Sequence, residues 1–448
     1  MTELALAIES KPLTQPASGG TSSAPTAPQA LQLNPQQVTA LNAMVAFIAD
    51  PDPDDNFFAL SGFAGTGKTF LMREVIQRFA KSHAQFAFTA PTNKAAKVLR
   101  GITGGACTIY SLLGLRIEKN GELKELVTGK SPIELDTLDA VFLDEASMIN
   151  QNLMKVLREE SKKNSFKVVF MGDSAQLPPV GEITSPVWQL ENGANLTKVM
   201  RHDNQILTLV TEIRDRMLDF SPSITIANDH GKAEGVWKLS RQAFKDAIFN
   251  CAADGGFADG SKTKVVAWRN VRVGEFNDLI RRAIFGAEAE EGNFLLGDRI
   301  IATEPLSRGD DALMSTDDEA IVEGVIATTH PTVPKYKAWE LKCRTEMNTI
   351  VRLTVLHPSS ASDYANDLQE LAHKAKANPK MWKAFWNLND LFHKVKYAYA
   401  ITAHRAQGST YETVFVDYQD ILLNRSRKEA FQCLYVACSR PTTRLILA

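Results

Sequence analysis

The chain has 448 residues, of which 44% are hydrophobic and 23% are charged, and its formal net charge at pH 7 is −2. This composition is typical of a globular protein of roughly two to four domains. A protein that coats DNA nonspecifically would normally be basic, so any nucleic-acid contact is expected in a local cleft, and the net charge neither supports nor excludes a nucleic-acid partner. No window approaches the ~18 consecutive apolar residues of a membrane span, and the N-terminus lacks the basic stretch of a secretory signal.

The first 30 residues are predicted to be a disordered tail. Residues 11–30 consist almost wholly of Pro, Ser, Thr, Gly, Ala and Gln, which cannot bury enough apolar surface to offset the entropy of ordering. Folded sequence begins near Leu31. Asn34 followed by Pro35 resembles a helix N-cap with proline in the first turn, and apolar residues then recur at helical spacing.

Short apolar runs alternate with helical patterns beyond this point. Four of them read as buried strands: FFALSGF (57–63), FAFTAP (86–91), AVFLDEA (140–146) and KVVFMGD (167–173). Helical segments such as 69–82 and 151–161 separate them, which predicts an α/β fold with a parallel sheet and crossover helices. Functional residues are then expected at the carboxyl ends of the strands.

A second set of strand and helix patterns follows, at 262–270, 275–285, 394–408, 412–417 and 443–448. Between its parts, residues 303–357 carry acidic loops and short alternating strands that predict a small β-barrel-like insertion. Residues 362–393 read as helical and contain an aromatic cluster of Trp382, Phe385, Trp386 and Phe392. Its spacing suits one helix face, which favours packing over stacking on nucleobases.

The segment GFAGTGKT, residues 62–69, matches the phosphate-binding pattern G-x-x-x-x-G-K-[ST] between a predicted strand and a predicted helix. Its glycines allow the backbone to wrap phosphates, Lys68 would reach the β- and γ-phosphates, and Thr69 would ligate Mg²⁺. ATP and Mg²⁺ are the predicted cofactors. The predicted cofactor-binding residues of this loop are Gly62, Gly65, Thr66, Gly67, Lys68 and Thr69.

Two further predicted strands end in residues suited to hydrolysis. Asp144 and Glu145 follow one apolar strand, where Asp144 would hold the magnesium ion through water and Glu145 would polarise the attacking water as general base. Gln176 follows the next strand and is placed to contact the γ-phosphate or its water. Together with the phosphate loop, these residues predict an ATP hydrolase.

With these motifs in this order, the sequence resembles the superfamily 1 helicases of the RecD/Dda branch. The resemblance covers almost everything from Leu33 to Ala448. The segments that carry it are LNPQQ, GFAGTGKT, APTNKAAKVL, TIYSLLG, LDEAS, GDSAQLPPVG, LTKVMRHD, YAITAHRAQGST and LYVACSR. It implies two RecA-like domains and an ATP-driven DNA motor.

The resemblance also implies further nucleotide contacts. Gln37 corresponds to a glutamine that reads adenine, and Arg201 and Arg440 to catalytic arginines that reach the γ-phosphate from the second RecA-like domain. Gln407 and Gly408 lie in the loop that couples DNA to ATP, so they are also expected at the nucleotide.

Single-strand contacts are implied for two segments and one separate residue. The predicted DNA-binding residues are Pro91, Thr92, Asn93, Tyr110, Thr402, His404 and Ser409. The family commonly has histidine where this chain has Asn93 and Tyr110; both keep hydrogen bonding, and tyrosine adds a ring that could stack on a base.

The predicted domain organisation follows the resemblance. Residues 31–186 form a first RecA-like domain with a hairpin insertion at about 112–136, turning at Asn120–Gly121. Residues 187–302 and 394–448 form a second RecA-like domain, and residues 303–393 an inserted β-barrel-like (SH3-like) domain with a helical extension. The hairpin is either a strand-separating pin or a plain surface hairpin.

The function that the resemblance implies is ATP-dependent 5′→3′ translocation on single-stranded DNA with duplex separation, in DNA replication, recombination and repair. An ATP-driven translocase that remodels forks or displaces proteins is the alternative, and a nucleotide-gated binding module is a third reading. The expected partners are single-stranded and forked DNA, with single-strand-binding or replication proteins as candidates, and a monomer is expected. Five scattered cysteines without a CxxC pair indicate reduced thiols, and not a disulfide scaffold or a zinc site. A cytoplasmic location is expected, the host cytoplasm if a phage encodes the chain.

Overall fold

A computed structural model describes residues 33–448, except 53–55, 81–83, 121–122, 200–204, 220–227, 232–233, 292 and 310. The predicted tail, residues 1–30, and the predicted arginine Arg201 therefore lie outside the described residues. Within the described part, no helix combines the length and the apolar character that crossing a membrane requires.

The first half of the chain alternates strands and helices as predicted. Its elements are α1 (Pro35–Ala49), β1 (Phe57–Gly62), α2 (Lys68–Arg78), β2 (Phe86–Ala90), α3 (Asn93–Thr103), β3 (Cys107–Thr108), α4 (Ile109–Leu112), β4 (Leu115–Asn120), β5 (Leu123–Thr128), β6 (Ala140–Leu143), α5 (Gln151–Asn164), β7 (Lys167–Gly172) and β8 (Gly193–Leu196). Asn34 caps α1 through a capping box with Gln37, with Pro35 at its first position. All four predicted strands are confirmed.

Six of these strands form a parallel sheet in the order β3-β2-β6-β7-β1-β8. Successive residues of β1 enter two cores: Phe57 faces the core that contains α5, and Phe58 the core that contains α1 and α2. Helices thus cover both faces, which explains the uninterrupted apolar runs. Consequently, the segments that follow β1, β2, β6 and β7 meet at one edge of the sheet.

The second half contains a second sheet and a separate antiparallel sheet. Its elements are α6 (Gln205–Asp219), β9 (Asp229–His230), β10 (Gly235–Lys238), α7 (Arg241–Ala253), β11 (Thr263–Ala267), α8 (Asn270–Phe285), β12 (Arg299–Ala302), β13 (Leu306–Arg308), β14 (Asp311–Met314), β15 (Glu319–Thr329), β16 (Lys337–Thr345), β17 (Ile350–Leu356), α9 (Ala361–Ala377), α10 (Trp382–Asn389), β18 (Val395–Tyr397), β19 (Ala400–Thr402), α11 (Ala403–Ala406), β20 (Tyr411–Val416), α12 (Tyr418–Ile421), α13 (Arg427–Cys438) and β21 (Pro441–Leu447). The second sheet has the order β19-β11-β20-β21-β10-β9, parallel except for the edge pair β9 and β10.

The insertion is an antiparallel five-stranded sheet in the order β17-β16-β15-β12-β18, beside the two-stranded pair β13 and β14. β12 and β18 were predicted to belong to the second RecA-like domain, but they pair with each other inside this sheet. The insertion therefore begins before residue 303 and ends after residue 393. The predicted fold class, α/β with parallel sheets, is confirmed.

The predicted end of the first domain at residue 186 is also too early. β8, at 193–196, pairs in parallel with β1 and is the edge strand of the first sheet. A Cβ atom at Gly193 would lie 2.4 Å from the carbonyl oxygen of Ala59, so this close pairing requires glycine. The short segment GANL has little strand propensity, which is why the sequence does not reveal it.

The predicted hairpin is present as β4 and β5, which pair in antiparallel register from Leu115↔Thr128 to Asn120↔Leu123. Gly121, half of the predicted turn, lies outside the described residues. The aromatic cluster divides into two groups. Trp382, Phe385 and Trp386 stack edge to face on α10, whereas Phe392 packs against tyrosines of the insertion.

Candidate nucleotide and DNA site

The phosphate loop joins β1 to the first turn of α2. Gly65 and Gly67 adopt left-handed backbone angles, with φ of 82° and 90°, which a residue with a Cβ atom rarely adopts. Within the described residues no side chain caps α2 at Gly67, so the first N–H groups of the helix are available to an anion. The loop geometry therefore suits a bound phosphate chain.

Lys68 curls back over its own loop. Its ammonium donates to the carbonyl oxygen of Gly62 at 2.6 Å and to that of Phe63 at 3.2 Å. The buried Thr66 hydroxyl also donates to Phe63, at 2.8 Å. Half-buried Thr69 follows Lys68 in the first turn of α2. These hydrogen bonds stabilise the conformation of the phosphate loop and place the ammonium group of Lys68 within it.

The acidic pair follows β6. Asp144 accepts a hydrogen bond from the backbone N–H of Glu145 at 2.9 Å, and Glu145 adopts a left-handed φ of 55°. Such a conformation costs a non-glycine residue on the order of 1–3 kcal/mol and is found mainly at functional sites. One carboxylate oxygen of Glu145 is buried and has no hydrogen-bond partner among the described residues. The strained backbone thus aims a carboxylate into the cleft.

Burial raises the pKa of Glu145 to about 7, with a further upward contribution from Asp144, while Arg440 and Lys68 oppose the rise. Burial also raises the pKa of Asp144, against the pull of Lys68. A carboxyl group with a pKa near neutrality is well matched to accepting a proton from water. The site can therefore support general-base chemistry.

Asp173 and Gln176 follow β7 on the same edge of the sheet. Asp173 is fully buried; its Oδ1 accepts from the N–H of Ala175 at 3.0 Å, and its Oδ2 accepts from the hydroxyl of Tyr435 at 2.6 Å. Gln176 is buried too, and its side-chain oxygen has no partner in the part of the chain that the structure describes. Its backbone carbonyl accepts from Gln432 of α13 at 3.0 Å. This strand end is therefore joined directly to the second sheet.

Arg440 reaches the site from the second sheet. Its guanidinium is buried and donates to two carbonyl oxygens, of Val436 and Ser409, and to the hydroxyl of Ser439. All three acceptors are neutral, so the positive charge of the guanidinium is not cancelled by them. Its effect on the pKa of Glu145 places that charge in reach of the acidic pair.

Gln407 and Gly408 bridge the two sheets. The amide of Gln407 donates to the hydroxyl of Ser147 at 2.9 Å and to the carbonyl of Leu177 at 3.3 Å. Gly408 has a φ of 71°, and a Cβ atom there would lie 3.8 Å from Cγ of Glu145 and 3.9 Å from the hydroxyl of Thr92. This loop thus lies beside both the acidic pair and the Pro91–Asn93 segment.

Gln37 lies beneath the phosphate loop. Its amide oxygen accepts from the N–H of Asn34 at 3.0 Å, and its amide nitrogen donates to the carbonyl of Thr66 at 3.0 Å. A Cβ atom at Gly67 would lie 2.7 Å from this nitrogen. The residue therefore supports the loop directly.

The predicted DNA-binding residues lie at the ends of strands in both sheets. Half-buried Pro91 and Asn93 flank Thr92, whose hydroxyl caps α3, and the hydroxyl of Thr402 caps α11 in the same way. Tyr110 is half-buried, and burial raises the pKa of its phenol. The remaining two differ in exposure: the side chain of His404 is 37% exposed, whereas that of Ser409 is buried.

Sequence reasoning missed Tyr435, Ser147 and Lys94. Tyr435 and Ser147 bridge the cleft, and Lys94 donates to the hydroxyl of Tyr411 at 2.9 Å across it. The first two lie in the quoted motifs LYVACSR and LDEAS, and Lys94 lies in APTNKAAKVL. Motif membership was the available signal, but only the fold shows which side chains meet.

Two family models match the chain: an AAA domain over residues 32–236 and a UvrD-like helicase C-terminal domain over residues 397–448. The uncharacterized protein R530 of Acanthamoeba polyphaga mimivirus is 24% identical, covering 92% of this chain and 98% of its own length. The ATP-dependent DNA helicase dda of Enterobacteria phage T4 is 24% identical, covering 85% and 92%.

Solved structures share the fold. A Pif1 structure, from work on two coordinating Pif1 helicases at forked double-stranded DNA, aligns with a TM-score of 0.51 at 15% identity, covering 93% of this chain and 92% of that one. A Bacteroides Pif1 structure with ADP-AlF3 and single-stranded DNA aligns over the same shares with a TM-score of 0.50 at 14% identity. The two family models and these relatives support a superfamily 1 ATP-dependent DNA helicase similar to those of the Dda and Pif1 group.

Proposed function

We propose that the chain hydrolyses ATP in the cleft between its parallel sheets and thereby moves 5′→3′ along single-stranded DNA, separating the duplex ahead. The observation that carries this proposal is the position of Glu145. Its unpartnered carboxylate oxygen extends from the first sheet, beside Gly408 and in electrostatic reach of Arg440 from the second. Hydrolysis at Glu145 would therefore depend on both sheets, as a motor requires.

The residues present fit a magnesium nucleotide. Open N–H groups at the start of α2 and the central charge of Lys68 suit a phosphate chain, and the unpartnered oxygens of Glu145 and Gln176 suit the water and phosphate that hydrolysis brings together. Thr69 and Asp144 would hold Mg²⁺, Asp144 through water. The bound Mg²⁺·ATP supplies the phosphoryl bond whose cleavage drives the motor.

Glu145 accepts a proton from the attacking water, and Gln176 orients that water. Arg440 stabilises the negative charge that develops on the transferred group, because a guanidinium offers several donors without losing its charge. Arg201 is proposed to act beside it. Both arginines would tie hydrolysis to the approach of the second sheet.

Gln37 is proposed to read adenine. Its side-chain amide donates one hydrogen bond to Thr66 and accepts one from Asn34. One N–H donor and one acceptor lone pair of the amide therefore remain for the edge of a base. Gln407 and Gly408 would report the state of the nucleotide to the DNA-binding segments, because their loop bonds to Ser147 and lies beside Glu145 and Thr92.

Single-stranded DNA is proposed to cross the edge where Pro91–Asn93 and Thr402–Ser409 meet, with Tyr110 stacking on a base. Strand-end hydroxyl and backbone groups suit sequence-independent contacts with phosphates. The relative from Bacteroides was solved with single-stranded DNA, and the Pif1 work concerns forked duplexes, which supports the same substrates here. The hairpin β4–β5 is the candidate strand-separating pin.

Displacement of duplexes with a single-stranded tail on one end tests the proposal. Substrates with a 5′ tail should be unwound in an ATP-dependent reaction, whereas those with a 3′ tail should not. Unwinding only from 3′ tails would contradict the direction. ATP hydrolysis stimulated by single strands without unwinding would instead favour the alternative, a translocase that remodels forks or displaces proteins. Hydrolysis indifferent to DNA would favour a nucleotide-gated binding module.

A further inference from the structure

Three side chains with different donor atoms converge where α11 meets α13. His404 offers a ring nitrogen, Glu429 a carboxylate oxygen and Cys433 a sulfur, and these atoms all lie within 4.8 Å of one another. Glu429 and Cys433 are four residues apart on α13, so they share one face of that helix. His404 approaches from α11, so two separate elements supply the donors.

The spacing of these atoms suits a tetrahedral ion. The ring nitrogen of His404 and the carboxylate of Glu429 are 3.7 Å apart, too far for a hydrogen bond. Two ligands of a tetrahedral zinc ion lie roughly 3.3–3.8 Å apart, given metal–ligand distances of about 2.0–2.3 Å. The pair therefore already has the separation that such an ion requires, and the sulfur of Cys433 lies within 4.8 Å of both other donor atoms.

An ion can reach the cluster from a cavity of about 300 Å³. His404 and Glu429 line this cavity opposite the loop of residues 177–183, and their side chains are 37% and 40% exposed. Lys428 also lines the cavity, but its ammonium donates to the carbonyl oxygen of Ile183 at 3.4 Å. Cys433 is fully buried behind the other two donors.

The protonation state of His404 suits metal binding, whereas that of Cys433 opposes it until an ion displaces the thiol proton. Burial lowers the pKa of His404, against the pull of Glu429, so the imidazole is neutral at neutral pH, the form that binds metals. Burial raises the pKa of the Cys433 thiol to about 12, with a smaller contribution from Glu429. The thiol would therefore release its proton to solvent as the ion binds.

We propose that His404, Glu429 and Cys433 form a site for Zn²⁺. A set of nitrogen, oxygen and sulfur donors favours zinc over Mg²⁺, which takes oxygen ligands. The three side chains leave the fourth tetrahedral position open towards the cavity. This site is separate from the phosphate loop.

The effect on activity rests on the proposed function. A zinc ion would hold α11 and α13 together and so restrict movement between them. This matters for the cleft because α11 leads into Gln407, and α13 carries Tyr435 and leads into Arg440. It would also withdraw His404 from DNA. Bound Zn²⁺ therefore inhibits the ATP hydrolysis that single-stranded DNA stimulates.

Binding is tested on the full chain with Zn²⁺ alone, in the absence of DNA and nucleotide, by competition with a zinc-sensitive dye. The wild type should bind, and both Cys433→Ser and Glu429→Gln should weaken binding by at least about tenfold. Co²⁺ as a probe should give a thiolate charge-transfer absorption that Cys433→Ser abolishes. Cys251→Ser removes another buried thiol and should change neither signal.

Equal zinc affinity in the wild type and Glu429→Gln would overturn the site. Because Glu429 is partly exposed, that variant is expected to fold even if Cys433→Ser does not. In the activity arm, Zn²⁺ should inhibit the wild type, a zinc-selective chelator should reverse the effect, and Cys433→Ser should resist it. Absence of DNA-stimulated hydrolysis would contradict the proposed function, whereas absence of zinc binding would contradict only the site.

Discussion

The hydroxyl of Tyr435 donates to the Oδ2 atom of Asp173 at 2.6 Å, joining α13 of the second sheet to the end of β7 in the first. Both residues are buried. The same hydroxyl oxygen lies 3.5 Å from the N–H of Ala64 in the phosphate loop, which donates to it. Tyr435 thus contacts the segments that follow two strands of the first sheet, β1 and β7. It precedes Arg440 by five residues.

Tyr435→Phe should therefore loosen the cleft. Removal of the hydroxyl leaves Asp173 with a buried, unpaired oxygen, which costs about 1–3 kcal/mol of unfolding free energy. The DNA-stimulated rate of ATP hydrolysis should fall as well, because the position of Arg440 depends on α13. Denaturant unfolding and steady-state hydrolysis measure the two effects.

Tyr399→Phe is the matched control, since it removes a buried hydroxyl that donates to Asp298 away from the cleft. It should lower stability but leave the hydrolysis rate unchanged. Similar rates of hydrolysis in the two variants would show that the Tyr435 contact has no part in coupling.

Lys68→Ala should reduce ATP hydrolysis to background without unfolding the chain. Among the residues that the structure describes, the lysine donates only to carbonyl oxygens of its own loop, so its loss removes phosphate-binding charge but few tertiary contacts. Hydrolysis is measured with saturating single-stranded DNA and the fold by thermal unfolding. Lys155→Ala, on the exposed face of α5, serves as control, and normal turnover in Lys68→Ala would refute the assigned site.

The pH dependence of hydrolysis should reflect Glu145. Because its pKa is raised to about 7, the fraction of the carboxylate form increases as the pH rises through neutrality. Under single-turnover conditions the rate should therefore increase from about pH 6 to about pH 8 and then level off. A rate that is flat over this range would contradict a general base with this pKa.

Glu145→Gln should retain ATP binding, lose hydrolysis and stabilise the fold at alkaline pH. The folded-state pKa of Glu145 lies above its ordinary value of 4.5, so folding favours the neutral form. Above about pH 7 the ionised side chain then costs the fold on the order of 1–3 kcal/mol, which glutamine avoids. The gain should shrink as the pH falls from 7 towards 4.5, which urea unfolding at several pH values would reveal; loss of nucleotide binding would contradict the assigned role.

A buried charge cluster joins the first sheet, the second sheet and the insertion. Lys264 donates to both oxygens of Glu319, at 2.8 and 3.0 Å, and Lys94 lies 3.7 Å from the same carboxylate. Lys264→Met should cost on the order of 3–5 kcal/mol, since it leaves the buried carboxylate of Glu319 poorly paired. Lys94→Met should cost far less, because Lys264 remains.

Unfolding free energies of these variants test the prediction. The double variant Lys264→Met with Glu319→Leu should recover much of the loss, because apolar residues replace a buried ion pair at little cost. Equal losses in Lys264→Met and Lys94→Met would contradict the ranking.

The elements predicted from the sequence are those with strong local signals. Buried parallel strands produce uninterrupted apolar runs, so β1, β2, β6 and β7 were predicted. The strands β8, β12 and β18 were missed or misassigned, because a strand of three or four residues has little pattern of its own. Its place depends on which distant strand it pairs with, as β12 and β18 show across almost one hundred residues of chain.

The sequence by itself determined the phosphate loop, the acidic pair and the helicase family, because these depend on residue types at short spacing. Only the tertiary structure decided which side chains complete the cleft. Tyr435 meets Asp173 across 262 positions of the sequence, and Glu145 adopts a left-handed backbone directly after β6. Such contacts depend on how two separately formed sheets face each other, and no local pattern of residues encodes that arrangement.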